Sequence, residues 1–236
     1  MSEKKLPKKL DAKDVKDVKP TYDSLFKTWR ESDQCKDQNQ KFMDLLGMAP
    51  RQGMEILIEA IQQPYMYITI PATKDKPEEK LPITFFDQPA STKYHGSEFG
   101  GLVKHVLGVF CKFQDMRDKY HLPIDHATTI IVCLLHDFCK WSIYQPRVTV
   151  NNYFDERGHF KFEDPCWLGH GEESVIKLQE FIHLTDTEKL MIRWHMGPFD
   201  DALKSWNVNK VKEACPLAMW LFIADYTDAL ENGMDE

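Results

Sequence analysis

The sequence predicts an all-α protein, a helical bundle carrying one small β-hairpin. Three observations predict it. Apolar residues recur at helical spacing through most of the chain. Glycine, proline and capping residues punctuate those runs where helices would start and stop. Strand-like alternation is confined to YMYITIP at 65–71 and VTVNNYFDERGHFKFED at 148–164.

The elements follow in order. Residues 22–46 and 52–62 carry helical apolar spacing, and 65–71 reads as a short strand. KDKPEEKLP, 74–82, reads as an exposed loop. GGLVKHVLGVFCKFQDMRDKY, 100–120, is an amphipathic helix opening at a glycine pair. Pro123 opens a helix over 124–140, with Asp125 in its first turn. In 148–164 two alternating runs flank ERG, a hairpin signal. Helices follow near 170–183, 185–196 and 213–231, the second started by a capping box of Thr185 and Glu188. Residues 1–20 form a basic tail expected to be disordered, and 21–236 are expected to form one domain.

Composition narrows the function. The 236 residues are 42% hydrophobic, enough for a substantial core. No run of eighteen apolar residues occurs, so no membrane span is expected, and the first twenty residues are too polar for a secretory signal. Cys35, Cys111, Cys133, Cys139, Cys166 and Cys215 are scattered without a CxxC pair, as in a reduced cytoplasmic protein. The net charge is −7; residues 1–20 contribute +3, leaving −10 for the rest, which argues against broad nucleic-acid affinity in the body of the protein.

The chemistry concentrates in CLLHDFCKW, 133–141. His136, Asp137 and Lys140 stand at the end of an apolar run, TTIIVCLL, where an unpartnered ion costs several kcal/mol. Three more histidines interrupt helices or sit among glycines: His105 in GGLVKHVLGVF, His170 in WLGHGEESV and His195 in MIRWHMGPF. Asp225 breaks LFIADYTDAL in the same way. Singly, each is an ordinary satisfied core residue. Together, four imidazoles and two carboxylates would satisfy one another around one or two divalent ions. His121, His126, His159 and His183 fall at loop or surface positions. The glycines beside His170 read as backbone space for a ligand. Lys140, at i+4 from His136, shares its face and can meet a phosphate oxygen, or else pairs with Asp137 or ends the helix in solvent; Arg147 and Lys104 are further phosphate candidates. Trp167 and Trp194, beside proposed ligands, are core residues or base-stacking surfaces.

The order His105, His136-Asp137, His170, His195, Asp225 resembles the HD superfamily of metal-dependent phosphohydrolases. That resemblance covers about 89–230 and implies a helical bundle whose inward side chains hold one or two divalent metals (Mn, Mg, Fe, Co, Ni or Zn). HDFCK resembles the HD-x-G-K variant, with Cys139 in the glycine's place. PASTKYHGSEFGGLVKH, 89–105, is similar to the segment before the first ligand of HD-containing 3′-to-5′ exoribonucleases, where a histidine matching His95 precedes a glycine pair. The resemblance implies hydrolysis of a nucleotide or related phosphoester, with Lys140, Asp137 and His95 as catalytic residues, and single-stranded nucleic acid as a second class of partner. A non-haem di-iron oxygenase and a non-catalytic metal-stabilised binding protein share the same ligand pattern.

Overall fold

The computed structural model describes residues 20–72, 74, 76–149, 152–153, 159–163, 168–199 and 205–233, the side chains of 205–208 and 233 excepted. The expected tail, but for Pro20, lies outside these residues, as do Cys166 and Trp167.

The first apolar run forms two helices, α1 (Tyr22–Glu31) and α2 (Asp33–Gly47), rather than one. Ser32 separates them: its backbone is extended, and its Oγ accepts from Cys35 N at 3.1 Å, capping α2. Helix α3 is Met54–Gln62. Strand β1 (Met66–Ile70) pairs antiparallel with β2 (Glu79–Ile83), Ile68 opposite Leu81. The expected loop over 74–82 thus yields a strand. Its charged composition hid the alternation that buries Leu81 and Ile83. After a 3₁₀ turn at Phe85–Asp87 come α4 (Gly101–Tyr120) and α5 (His126–Leu135).

The helix expected over 124–140 is shorter at both ends. Asp125 caps α5 from outside, accepting from Thr128 N at 2.8 Å, instead of lying in its first turn. Beyond Leu135 the chain tightens into i→i−3 bonds, among them Lys140 N to Asp137 O at 2.9 Å, before a single turn, α6 (Lys140–Ile143). The hairpin begins earlier than its sequence signal: β3 is Tyr144–Pro146 and pairs with β4, Phe160–Phe162. Its ERG turn lies outside the described residues. Helices α7 (His170–Leu178), α8 (Asp186–Arg193), α9 (Ser205–Ala214) and α10 (Pro216–Gly233) complete the order. The Thr185–Glu188 capping box forms as expected, and α9 has no counterpart in the sequence reading.

The architecture is a helical bundle with two small two-stranded sheets. At its centre α4 packs along α10 and α5, with α8 against α5 and α10. Residues Ile130–Leu135 of α5 are buried on every side, so the helix is apolar all round. A second, smaller core of Tyr22, Phe26, Ile70, Leu81, Ile83, Phe99 and Phe160 joins α1 to the strands. Two ion pairs with buried carboxylates and half-buried arginines fasten the periphery: Arg30 to Asp87, and Arg51 to both oxygens of Glu188 at 2.8 and 2.9 Å. Among the described residues no helix is long and apolar enough to cross a membrane.

Candidate metal centre

Each side chain of the site is delivered by a different part of the bundle. His105 lies one turn into α4, which starts where Gly100 adopts a left-handed φ of 72°. His136 and Asp137 occupy the tightened turn after α5, His195 follows α8, and Asp225 lies in the middle of α10. His105, His136, Asp137 and His195 are at most 2% exposed.

The three imidazoles share a wiring pattern. His136 Nδ1 lies 2.9 Å from Cys133 O, and His195 Nδ1 lies 2.7 Å from Ile192 O. A carbonyl accepts only, so both rings carry their proton on Nδ1. Their Nε2 atoms are buried with no hydrogen-bond partner among the described residues. His105 Nδ1 lies 2.8 Å from Asp228 Oδ2; its Nε2 is 3.0 Å from Asp225 Oδ1 but lacks hydrogen-bond geometry. Around these nitrogens, His195 Nε2 is 3.4 Å from Asp137 Oδ1, and His136 Nε2 is 3.4 Å from Asp137 Oδ2 and 3.8 Å from Asp225 Oδ1. Two overlapping groups therefore form, His105–His136–Asp225 and His136–Asp137–His195. Buried lone pairs aimed together and anchored from behind are what a divalent ion requires, so these residues fit one.

Burial alone would lower the His105 pKa, but Asp225 and Asp228 carry it up to about 9, so an ion bound at Nε2 would displace a proton. Burial would raise Asp137; Lys140 and His136 hold it well below the usual carboxylate range. Asp225 is likewise held low against its burial, first by His105.

Five of the six expected ligands come together. His170 lines the same cavity but belongs to neither group. The glycine after it has a different cause from the expected one: a Cβ on Gly171 would lie 2.1 Å from Arg193 O, so the residue permits α7 to press against α8. Lys140 takes the ion-paired one of its expected places. The tightened turn places it at i+3 over Asp137, Nζ to Oδ2 2.6 Å, instead of beside His136. His95 stands against His105, ring centroids 4.8 Å apart, and its Nε2 is buried without a hydrogen-bond partner among the described residues. Burial, then the charges of His105 and Lys140, lower its pKa to about 4. Lys104 is exposed and pairs with Glu98, and neither it nor Arg147 lines the cavity. Trp194 packs against the main core, with Arg193 over its ring at 3.8 Å.

Sequence reasoning missed Asp228. It accepts from Lys112 Nζ at 3.1 Å and Asn232 Nδ2 at 2.9 Å besides facing His105, and it is 1% exposed. Its signal was its place on the Asp225 face of α10, at i+3.

The cavity over the metal groups holds about 600 Å³. Asp137, Lys140, His95, His170 and Asp225 form its polar end; Ala90, Met196, Phe199, Phe222, Tyr226 and Ala229 form apolar walls.

Comparison with curated proteins and with solved structures returned no match. A family model described as "HD domain" matches residues 102–230. The match starts beyond most of the 89–105 segment, so the exoribonuclease likeness gains no support from it. It spans more than half of the chain and runs from α4 to α10, the helices that carry His105 and Asp225. The chain belongs to the HD-domain family.

Proposed function

We propose that the protein is a metal-dependent phosphohydrolase acting on a nucleotide or a related phosphoester. One observation carries the reading: three buried histidines, each anchored at Nδ1, bring their Nε2 atoms to two carboxylates at the polar end of a cavity. His105, His136, Asp137, His195 and Asp225 would hold one or two divalent ions, with His170 as a further ligand from the cavity wall. The mixed nitrogen and oxygen set suits Mn, Fe, Co, Ni or Zn. A bound divalent ion supplies an acidified water near neutral pH and positive charge against phosphoryl oxygens.

The chain's own groups account for the rest. The Lys140 ammonium, released from part of its pairing with Asp137, meets a non-bridging phosphate oxygen as a point charge. Asp137, beside His195 and Lys140, would help to orient the attacking water. Neutral His95, with its proton on Nε2, would donate a hydrogen bond to the leaving-group oxygen, which takes its own proton from solvent. The apolar walls exclude water from the phosphoester and strengthen each of these contacts. The unpaired thiols of Cys35, Cys111, Cys133, Cys139 and Cys215 support a reducing, cytoplasmic setting.

The test is a screen of purified protein against nucleoside mono-, di- and triphosphates, cyclic nucleotides and short single-stranded oligonucleotides, with Mn²⁺, Mg²⁺, Co²⁺ or Ni²⁺. Metal-dependent phosphate-ester cleavage supports the reading. Iron-dependent oxygen consumption with no ester cleaved would overturn it in favour of an oxygenase.

A further inference from the structure

We infer that Phe199, Phe222 and Tyr226 form a stacking ledge that selects substrates bearing a planar aromatic group, a nucleobase in the simplest case. The inference rests on the phosphohydrolase reading for the position of the phosphate, but its binding arm stands apart from turnover.

Helix α10 presents Phe222, Asp225, Tyr226 and Ala229 to the cavity, at i, i+3, i+4 and i+7, so one face carries both a metal-site carboxylate and aromatic rings. The Phe222 and Tyr226 rings lie 5.8 Å apart and 22° from parallel; Phe199, from the 3₁₀ turn after α8, stacks on Tyr226 at 5.4 Å and 28°. Phe199 also meets Phe222 at 6.2 Å and 49°, so the three rings form one contacting cluster on the cavity wall.

Their exposure is the second observation. Phe199 is 61% exposed and Tyr226 42%, although both border a cavity and touch other aromatics. Exposure of single apolar residues is ordinary; here two exposed rings stand together at the mouth of one cavity. Gly197, just before Phe199, explains the close approach: its φ is 53°, and a Cβ there would lie 2.6 Å from the Phe222 ring. The turn is thus held close against α10.

The wall across the cavity supplies the rest of the slot. Ser91, Thr92 and Tyr94 line it, and Tyr94 is 74% exposed. Ser91 Oγ accepts from Tyr94 N at 2.8 Å and donates to His95 O at 2.9 Å, so that loop is internally braced. A phosphoester whose phosphate met Lys140 beside the metal groups would have its organic part within reach of the ledge, which lines the same cavity. Stacking tolerates any base because each has a π-face, and it favours a flat ring over a sugar or an alkyl chain.

The experiment measures dissociation constants by calorimetry on the full metal-loaded chain. Its probes are the four common nucleoside 5′-monophosphates, ribose 5-phosphate and the four parent nucleosides. At least one nucleotide should bind about tenfold or more tightly than ribose 5-phosphate, the scale of base–aromatic stacking. Phe199→Ala should bring that ratio towards one, and Phe199→Trp should restore it; Phe199 is exposed enough for both to fold, which circular dichroism checks. Equal binding of ribose 5-phosphate and every nucleotide overturns the ledge, as does a ratio indifferent to Phe199→Ala. Nucleosides that bind through Phe199 without any ester being cleaved uphold the ledge and overturn the phosphohydrolase. Cleavage of ribose 5-phosphate as efficient as that of every nucleotide does the reverse. If neither nucleosides nor nucleotides bind, the ledge is overturned.

Discussion

His105 Nδ1 and Asp228 Oδ2 meet at 2.8 Å although 123 residues separate them in the chain. The contact turns His105 so that its other nitrogen faces the metal groups, and Lys112 and Asn232 keep the carboxylate in place. Asp228→Asn preserves shape and removes charge. Metal affinity should fall by about 10- to 100-fold, the usual effect of losing a partner behind a ligating histidine. Titration against a fluorescent chelator measures it, and an unchanged affinity would reduce Asp228 to a packing residue.

Gly108 gives that carboxylate its room. A Cβ built there lies 2.0 Å from Asp228 Oδ1. In an ordinary helix interior, Gly→Ala stabilises by up to about 1 kcal/mol. Gly108→Ala should act with the opposite sign, lowering both the melting temperature and the metal affinity. A thermal melt with and without added Mn²⁺ separates the two effects.

Lys140 sets a positive charge directly against Asp137. Its Nζ is 2.6 Å from Asp137 Oδ2, and both side chains are almost fully buried. Lys140→Met in chelator-treated protein should cost about 3–5 kcal/mol, the penalty for stranding a buried partner. Saturating metal should narrow that loss, because Asp137 then has another cation. Metal content should survive while turnover falls. A variant that cannot retain metal would assign the lysine to ligand organisation instead of substrate.

Arg51 and Glu188 pin α8 to the segment before α3. Glu188 is fully buried, and although burial would raise its pKa, Arg51 and the Thr185 backbone bring it below its ordinary value. Arg51→Met should destabilise by about 3–5 kcal/mol at pH 7. A carboxylate with a lowered folded-state pKa stabilises above its unfolded value, about 4.3, and that stability is lost as pH falls through the folded value. The gap between wild type and variant should therefore shrink in acid. Urea unfolding at pH 7 and pH 4 checks the sign.

The helical bundle and most of the site were legible because polar residues interrupted apolar periodicity. His105, His136, His195 and Asp225 each break a run that packing alone would keep apolar. Asp228 was not legible, since an aspartate near the polar end of an amphipathic helix looks like a solvated residue. The break at Ser32 was hidden by apolar spacing that continues on both sides. Strand β2 was hidden because only Leu81 and Ile83 of its five residues are buried. The position of Lys140 depended on a local change from α-helical to tighter bonding, which a spacing rule based on 3.6 residues per turn does not register.

The wide sequence spacing of the metal groups has a consequence for the lifetime of the protein. They join α4, the turn after α5, the end of α8 and α10, so no short stretch of unfolded chain can reproduce them. An ion that recognises only the assembled bundle works as a removable rivet. At a free concentration a hundred times its dissociation constant, it adds about 2.7 kcal/mol of stability. Metal starvation should then show first as faster proteolytic clearance, with abundance falling before specific activity does. Pulse-chase in chelated and replete medium would reveal it, and equal half-lives would separate stability from metal loading.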